Sequence, residues 1–357
     1  MTSINHHILA ADIGGTNLSV AIIAQSGRDR YNLVCHHTYR TARIRNIPGF
    51  LGNYLKREGR RLIPQVECGS IDFAGPIDSK RKVVSLTNLD ARFTADEAIK
   101  ATGLERLTLL NDFEAVGYGL EVLIENRPEA FVRLSRAGRL PHRSEPMSTV
   151  VVLGAGTGLG TTILMPDPAT RRFRPLPGEG GHVDYGPVEE EEFRIAQWIR
   201  KHKNDSPRNP LNRERVVSGR GLAFVYEALA ELRPDLGHRS VRSAILRTKA
   251  SNRPAVIAQN ANRDSLCRKT LDVWLRSYAR AAKNSAILPL APGGVFLAGG
   301  VAGKILPEMR SGTFMKEFLR CDIPNIRAIL KHIPVFVITD YRIGLYGCAN
   351  VAVNGLA

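Results

Sequence analysis

Apolar residues in this chain fall in short runs stopped by glycine, and the runs alternate with stretches of helical spacing. His7 to Ile13 and Leu18 to Ala24 are runs of strand length on either side of Gly14-Gly15-Thr16-Asn17, a pattern that predicts a β-hairpin. Asn32 to Thr38 reads as a third strand. From Ile47 to Arg61, Phe50, Leu51, Tyr54 and Leu55 recur at helical spacing with basic residues between them. Val66 to Phe73 is a strand that stops at Ala74-Gly75-Pro76, and Lys82 to Thr87 is another. Thr94 opens a helix to Ala101, with Glu97 in capping-box position. Leu107 to Leu110 is a strand of buried type, and Asp112 starts a helix to about Glu125.

The second half begins in the same way. Val150 to Leu153 is a strand, Gly154-Ala155-Gly156-Thr157-Gly158 its turn, and Leu159 to Met165 the return. The echo reads as a degenerate internal duplication, each half supplying one glycine loop. Between the halves, 126–146 is polar and rich in Arg and Pro, and predicts an exposed excursion. Helices are expected at Glu189 to Lys201, Gly221 to Leu232, Val241 to Thr248 and Asp264 to Leu288. Val295 to Ala298 is a strand into Gly299-Gly300, Pro334 to Ile338 another, and Ile343 to Val353 a closing helix. Strands alternating with helices give an α/β chain, and 357 residues suit two domains.

Composition changes this picture little. No apolar stretch is long enough to span a bilayer, and the N-terminus has no signal-peptide pattern; a cytoplasmic protein without a membrane partner is expected. Cys35, Cys68, Cys267, Cys321 and Cys348 show no metal-ligand or redox-pair spacing, which favours reduced thiols. The formal charge of +16 is the unusual global property. Basic clusters at 56–61, 133–143 and 171–174 are interleaved with acids and glycine and lack a DNA-reading motif, so they read as a solvated surface rather than a nucleic-acid site.

The glycine turns carry the chemistry. In Asp12-Ile13-Gly14-Gly15-Thr16-Asn17, the glycines let successive N–H groups approach phosphate oxygens. Asp12 at the strand end is able to hold magnesium, directly or through water. A plain hairpin turn is the competing reading, and the second loop, with Thr157 able to donate to a phosphate, tips the balance. That second loop is neither a dinucleotide fingerprint nor a P-loop. Gly299 to Lys304 misses a P-loop by one position and reads as a turn beside a nucleotide base. Asp112 is placed to accept the proton of an attacking hydroxyl, although taken in isolation an Asp at such a position reads more readily as a helix N-cap. Glu179 and His182, three apart in Pro177-Gly178-Glu179-Gly180-Gly181-His182, fit adjacent hydroxyls of a sugar; a structural His is the alternative. By spacing alone, Glu214 reads as a surface charge paired with a nearby Arg.

Together, Asp12–Asn17, Leu110-Asn111-Asp112-Phe113, Gly154–Gly160, Pro177–Asp184, Glu214–Gly219 and Gly294–Gly300 resemble the bacterial-type glucokinase family of the hexokinase–actin superfamily, in order and approximate spacing. The resemblance implies a two-domain hexokinase/actin-like (ribonuclease H-like) fold. Its small domain would comprise 1–112 plus 342–357, its large domain 113–341, with a cleft between them. It implies ATP-dependent phosphorylation of the 6-hydroxyl of D-glucose, with Asp112 as general base. Asn88, Asn111, Asp112, Glu179, His182 and Glu214 match the family's sugar positions. Asp12, Gly14, Gly15, Thr16 and Asn17 match its first phosphate loop, Gly156, Thr157 and Gly158 its second, and Gly299 and Gly300 its adenosine-side turn. ATP, Mg2+ and a homodimer follow by the same resemblance; a structural zinc does not, since the Cys cluster of the related repressor–kinase group is absent. The remaining alternatives are a kinase for mannose, fructose or an N-acetylhexosamine, a polyphosphate-using glucokinase, a phosphate-ester hydrolase and a sugar-sensing regulator. The last would need a DNA-binding module upstream of Asp12.

Overall fold

In the computed structural model, which describes residues 4–356 apart from 28, 63–65, 76, 79, 80, 87–90, 137, 142–146 and 205, the apolar runs become two sheets of matching order. The first uses β1 (Ile4–Ile13), β2 (Asn17–Ser26), β3 (Arg30–Arg40), β4 (Cys68–Phe73) and, after a separate hairpin of β5 (Val83–Leu86) and β6 (Ala91–Thr94), β7 (Arg106–Asn111). Its order is β3-β2-β1-β4-β7, an antiparallel meander extended by two parallel strands. The second uses β8 (Phe131–Arg133), β9 (Val150–Ala155), β10 (Leu159–Asp167), β11 (Arg172–Leu176), β12 (Gly294–Ala298) and β13 (Val335–Ile338). There the order is β11-β10-β9-β12-β13-β8, the same meander and parallel pair with β8 added antiparallel at the edge. The repeated order supports the duplication read from the two glycine turns.

The helices are α1 (Ile47–Leu62), α2 (Ala95–Thr102), α3 (Asp112–Asn126), α4 (Glu190–Lys203), α5 (Gly219–Leu232), α6 (Arg239–Arg247), α7 (Arg253–Asn260) and α8 (Ser265–Ile287). After β12 come α9 (Gly300–Lys304), α10 (Leu306–Met309), α11 (Thr313–Phe318) and α12 (Pro324–His332), and after β13 comes α13 (Ile343–Asn354). The predicted α2 capping box is present: the Glu97 N–H donates to Thr94 Oγ1, and the Thr94 N–H to Glu97 Oε2.

Strand parity decides what each side of a sheet meets. On β1, Ile8 and Ala10 join a core built with α3, α13 and the second sheet, whereas Leu9, Ala11 and Ile13 join a core that includes Leu51 and Tyr54 of α1 and Ala98 of α2. Both faces are therefore dry, which explains a run without polar alternation. Each fully buried aliphatic side chain contributes about 1.5–3 kcal/mol. α3 and α13 share the core that also holds Val150 and Val152 of β9 and Phe296 of β12, so they lie between the two sheets. Among the described residues no helix is long and apolar enough to cross a membrane.

Three expectations change. Phe131–Arg133, inside the anticipated excursion, pairs with Phe336–Ile338, and the Phe131 ring packs 5.7 Å from that of Phe296; one aromatic anchor outweighs the polar neighbours. β11 was not foreseen, nor were α7 and the four helices from 300 to 332. Asp112 is not the helix cap. Asn111 is, accepting from the N–H groups of Phe113 at 2.9 Å and Glu114 at 3.3 Å, and this leaves Asp112 as the first helical residue.

Candidate active site

A cleft of about 660 Å3 is lined by the ends of β1, β4, β7, β9 and β12 and by the glycine loops that follow them. It gathers Asp12, Gly14, Gly15, Asn111, Asp112, Gly156, Thr157, Gly158, Glu179, His182, Glu214, Gly299 and Gly300. Thr16 and Asn17 do not line it: both are exposed, the Thr16 carbonyl accepts from the Thr41 N–H, and Asn17 Oδ1 accepts from Arg40. Asn88 lies outside the described residues.

Each loop is fixed from behind. The Gly14 N–H closes onto the Asn17 carbonyl at 2.9 Å, and the Thr41 hydroxyl donates to the Gly14 carbonyl at 2.8 Å. In the second loop the Gly156 N–H donates to the Gly158 carbonyl, while the first N–H of α5, that of Gly219, donates to the Gly156 carbonyl. Gly299 has φ +85 and sits against the Ala155 backbone, a position closed to any side chain. The near P-loop is accordingly a strand-to-helix turn into α9.

Asp112 lies where these parts meet. Burial is the main cause that pushes its carboxyl up to about 7; Asp12 and Glu179 add to it and the Phe113 N–H opposes it. A base poised near neutrality is suited to removing a hydroxyl proton. The next residue, Phe113, packs on Gly154 and Gly160 of the second loop, where a Cβ would enter its ring. Asn111 Nδ2 donates to the Gly75 carbonyl at 3.1 Å, tying β7 to the turn after β4.

His182 Nε2 stands 3.7 Å from Glu179 Oε2, both largely exposed at the cleft mouth. Glu214 is paired with an arginine, as its spacing suggested, but on the cleft wall. Its Oε1 accepts from Arg220 at 3.0 Å and its Oε2 from the Leu159 N–H of the second loop at 2.9 Å. Arg220 also donates to the Thr157 carbonyl at 3.2 Å.

Sequence reasoning missed Asp72, Arg220 and Arg81. Asp72, the last residue but one of β4, lies directly beside Asp12, in the pairing Asp12↔Asp72. Burial, then the charges of Asp12 and Asp112, hold its carboxyl well above the usual range. Asp12 is raised by burial, against a smaller lowering by Asp72. Arg81, at φ 50, forks onto Glu114 at 2.7 and 2.8 Å and clamps the segment after β4 onto α3. The usable signal for Asp72 was a lone carboxylate in an otherwise apolar strand.

The sequence profile described as Glucokinase matches residues 9–355. The chain belongs to the glucokinase family. A glucokinase of Nostoc punctiforme is 30% identical over 356 residues, covering 97% of this chain and 98% of that protein. Among solved structures, a glucokinase from an Antarctic psychrotroph matches with a TM-score of 0.76 at 26% identity, over 98% of this chain and 99% of its own. A Balamuthia mandrillaris glucokinase solved in complex with glucose shares the fold, with a TM-score of 0.77 at 22% identity over 97% and 93%. The family's two-domain actin-like fold accounts for the paired sheets and the cleft at their strand ends.

Proposed function

We propose that this glucokinase family member transfers the γ-phosphoryl group of ATP to the 6-hydroxyl of D-glucose, the entry step of glycolysis. One observation carries the reading: a single cleft places a carboxyl held near 7, Asp112, among two glycine loops and the Glu179–His182 pair. Glu179, His182, Glu214, Asn111 and Asn88 would bind the sugar hydroxyls, and the first loop, through Gly14 and Gly15, and the loop at 154–160 the phosphates, with Gly299 and Gly300 beside the adenosine. Asp112 accepts the proton as the hydroxyl oxygen attacks phosphorus. Loop N–H groups stabilise charge on the transferring oxygens, so positioning supplies most of the acceleration. Closure of the cleft excludes the water that would otherwise compete.

Magnesium fits the donor set. Asp12 is a strand-end carboxylate in the cleft, and among the described residues no three His, Cys, Asp or Glu side chains converge as a dedicated metal cage. One or two carboxylates completed by water and phosphate is the usual magnesium arrangement. When bound, the ion would neutralise phosphate charge; Asp12 would hold it. The domains are taken as 1–112 plus 342–357 and 113–341, and the active form as a cytoplasmic homodimer, which sedimentation of the purified protein tests.

The deciding experiment is ADP release from MgATP with glucose, mannose, fructose, N-acetylglucosamine or no sugar, beside Asp112→Asn. Release that requires glucose and disappears in the variant is expected. Release without sugar would refute the kinase reading, and preference for another hexose would move the acceptor.

A further inference from the structure

The end of β4 adds something to the nucleotide side of the cleft. The pairs Ile8↔Cys68, Ala10↔Ser70 and Asp12↔Asp72 run in parallel register. Parallel neighbours in register share a face, so the two carboxylates leave the sheet side by side. Asp72 is only 1% exposed yet lines the cleft. Its Oδ2 is held from α13, accepting from Cys348 Sγ at 3.3 Å, and a Cβ on Gly344 would sit 3.1 Å from it. Its Oδ1 is buried and accepts from no N–H or O–H of another described residue, while the Asp72 and Asp12 side chains are themselves hydrogen-bonded to each other. The strongest charges acting on it, Asp12 and Asp112, are both acidic. Without a cation the two acids lower the cost of burial by keeping a proton between them, in a side-chain hydrogen bond of Asp72 with Asp12; a cation would displace that proton and complete both carboxylates.

We propose that Asp72 is a second carboxylate of the cation seat, so that Asp12 and Asp72 share the metal that accompanies the nucleotide. This rests on the magnesium reading above. Oδ2 is fixed by Cys348, which leaves Oδ1 as the ligating atom. Magnesium commonly takes one or two carboxylates and fills its octahedron with water and phosphate oxygens, so two adjacent strand ends suffice. Asp112 is kept out of the seat by its role as base, which needs the carboxylate open to the sugar.

The test uses Mn2+ as the probe, with a non-hydrolysable ATP analogue and glucose, read by water-proton relaxation rather than turnover. Asp72→Asn keeps the shape and the Cys348 contact but removes the charge. The expected result is Mn2+ binding weakened by at least about tenfold, the scale on which ligand-set changes act, with calorimetric glucose affinity unchanged. Unaltered Mn2+ affinity in a variant that still binds glucose overturns this inference and leaves the magnesium reading standing. Absence of Mn2+ binding to the wild-type complex overturns both. Should the variant not fold, wild-type protein isotope-labelled at the aspartate carboxyl carbons replaces it. Electron–nuclear double resonance of bound Mn2+ then counts coordinated carboxylates: two are expected, and fewer overturn the proposal.

Discussion

Asp112→Asn should make this protein slower and more stable at once, and the stability gain should depend on pH. An unfolded aspartate ionises near 3.9, whereas burial holds Asp112 up to about 7 in the fold. Because the folded value is raised, the fold tolerates the protonated group and pays increasingly for the ionised one as pH rises. The penalty is absent below about pH 4, grows through the interval and is complete above about 7. Three units at about 1.4 kcal/mol each give about 4 kcal/mol at pH 8 and about 1.5 kcal/mol at pH 5. Asparagine is close to isosteric and still accepts from the Phe113 N–H, but it carries no charge to desolvate. For 357 residues unfolding together, an unfolding entropy of about 2 cal/mol/K per residue turns 4 kcal/mol into about 5 °C in Tm. Calorimetry without ligands should therefore show Asp112→Asn melting about 5 °C higher at pH 8, about 2 °C higher at pH 5, and level with wild type near pH 4. Turnover should meanwhile fall by about 10²–10⁴-fold. An equal Tm change at pH 5 and pH 8, or destabilisation at both, would refute the assignment of the raised carboxyl to Asp112.

Other outcomes follow from the same geometry. Since the base must be ionised, kcat/KM for glucose should fall about tenfold per pH unit below about 7 and level off above it; a flat profile down to pH 5.5 would contradict this. Arg81→Ala leaves the buried Glu114 carboxylate unpaired and should cost about 3 kcal/mol in urea unfolding, a loss under 1 kcal/mol being the contrary result. Gly160→Ala drives a methyl into the Phe113 ring and should cost about 1–3 kcal/mol, with turnover reduced because Phe113 adjoins Asp112. Glu214→Gln weakens the hydrogen bonds to Leu159 and Arg220, so KM should rise for both glucose and ATP; a change confined to glucose would show that Glu214 does not join the two sites.

What was readable in the sequence was local. A glycine turn is demanded by backbone geometry within a few residues, so both loops could be placed, as could the strands feeding them. The α2 box needs only Thr94 and Glu97. Asp72 carries only a weak local mark, a lone carboxylate in its strand: it becomes a site residue when the parallel register sets β4 beside β1, and that pairing spans some 60 residues of chain. Arg220 and Arg81 gain meaning in the same way, through partners elsewhere. β11 was hidden although it alternates correctly, with Phe173 and Pro175 inward and Arg172, Arg174 and Leu176 more exposed, because Pro and Arg suppress a strand reading. The helices from 300 to 332 were missed because Pro307, Gly312 and Pro324 break their periodicity into pieces of one or two turns.

The same long-range contacts would let the proposed sugar and nucleotide sites, which lie on different elements, act together. Phe113 seats the first turn of α3 on Gly154 and Gly160, so Asp112, the proposed base, cannot shift without disturbing the second glycine loop. Glu214, proposed above to bind the sugar, accepts from the Leu159 N–H of that loop, and Arg220 fastens Glu214 to Thr157. A sugar hydroxyl that donates to Glu214 would share that carboxylate with the hydrogen bond from a loop N–H. Sugar binding would then reach the second glycine loop through this carboxylate as well as through closure of the cleft. That coupling would favour a nucleotide loop that is fully formed only when the acceptor is present, which is the condition for phosphoryl transfer to sugar rather than to water.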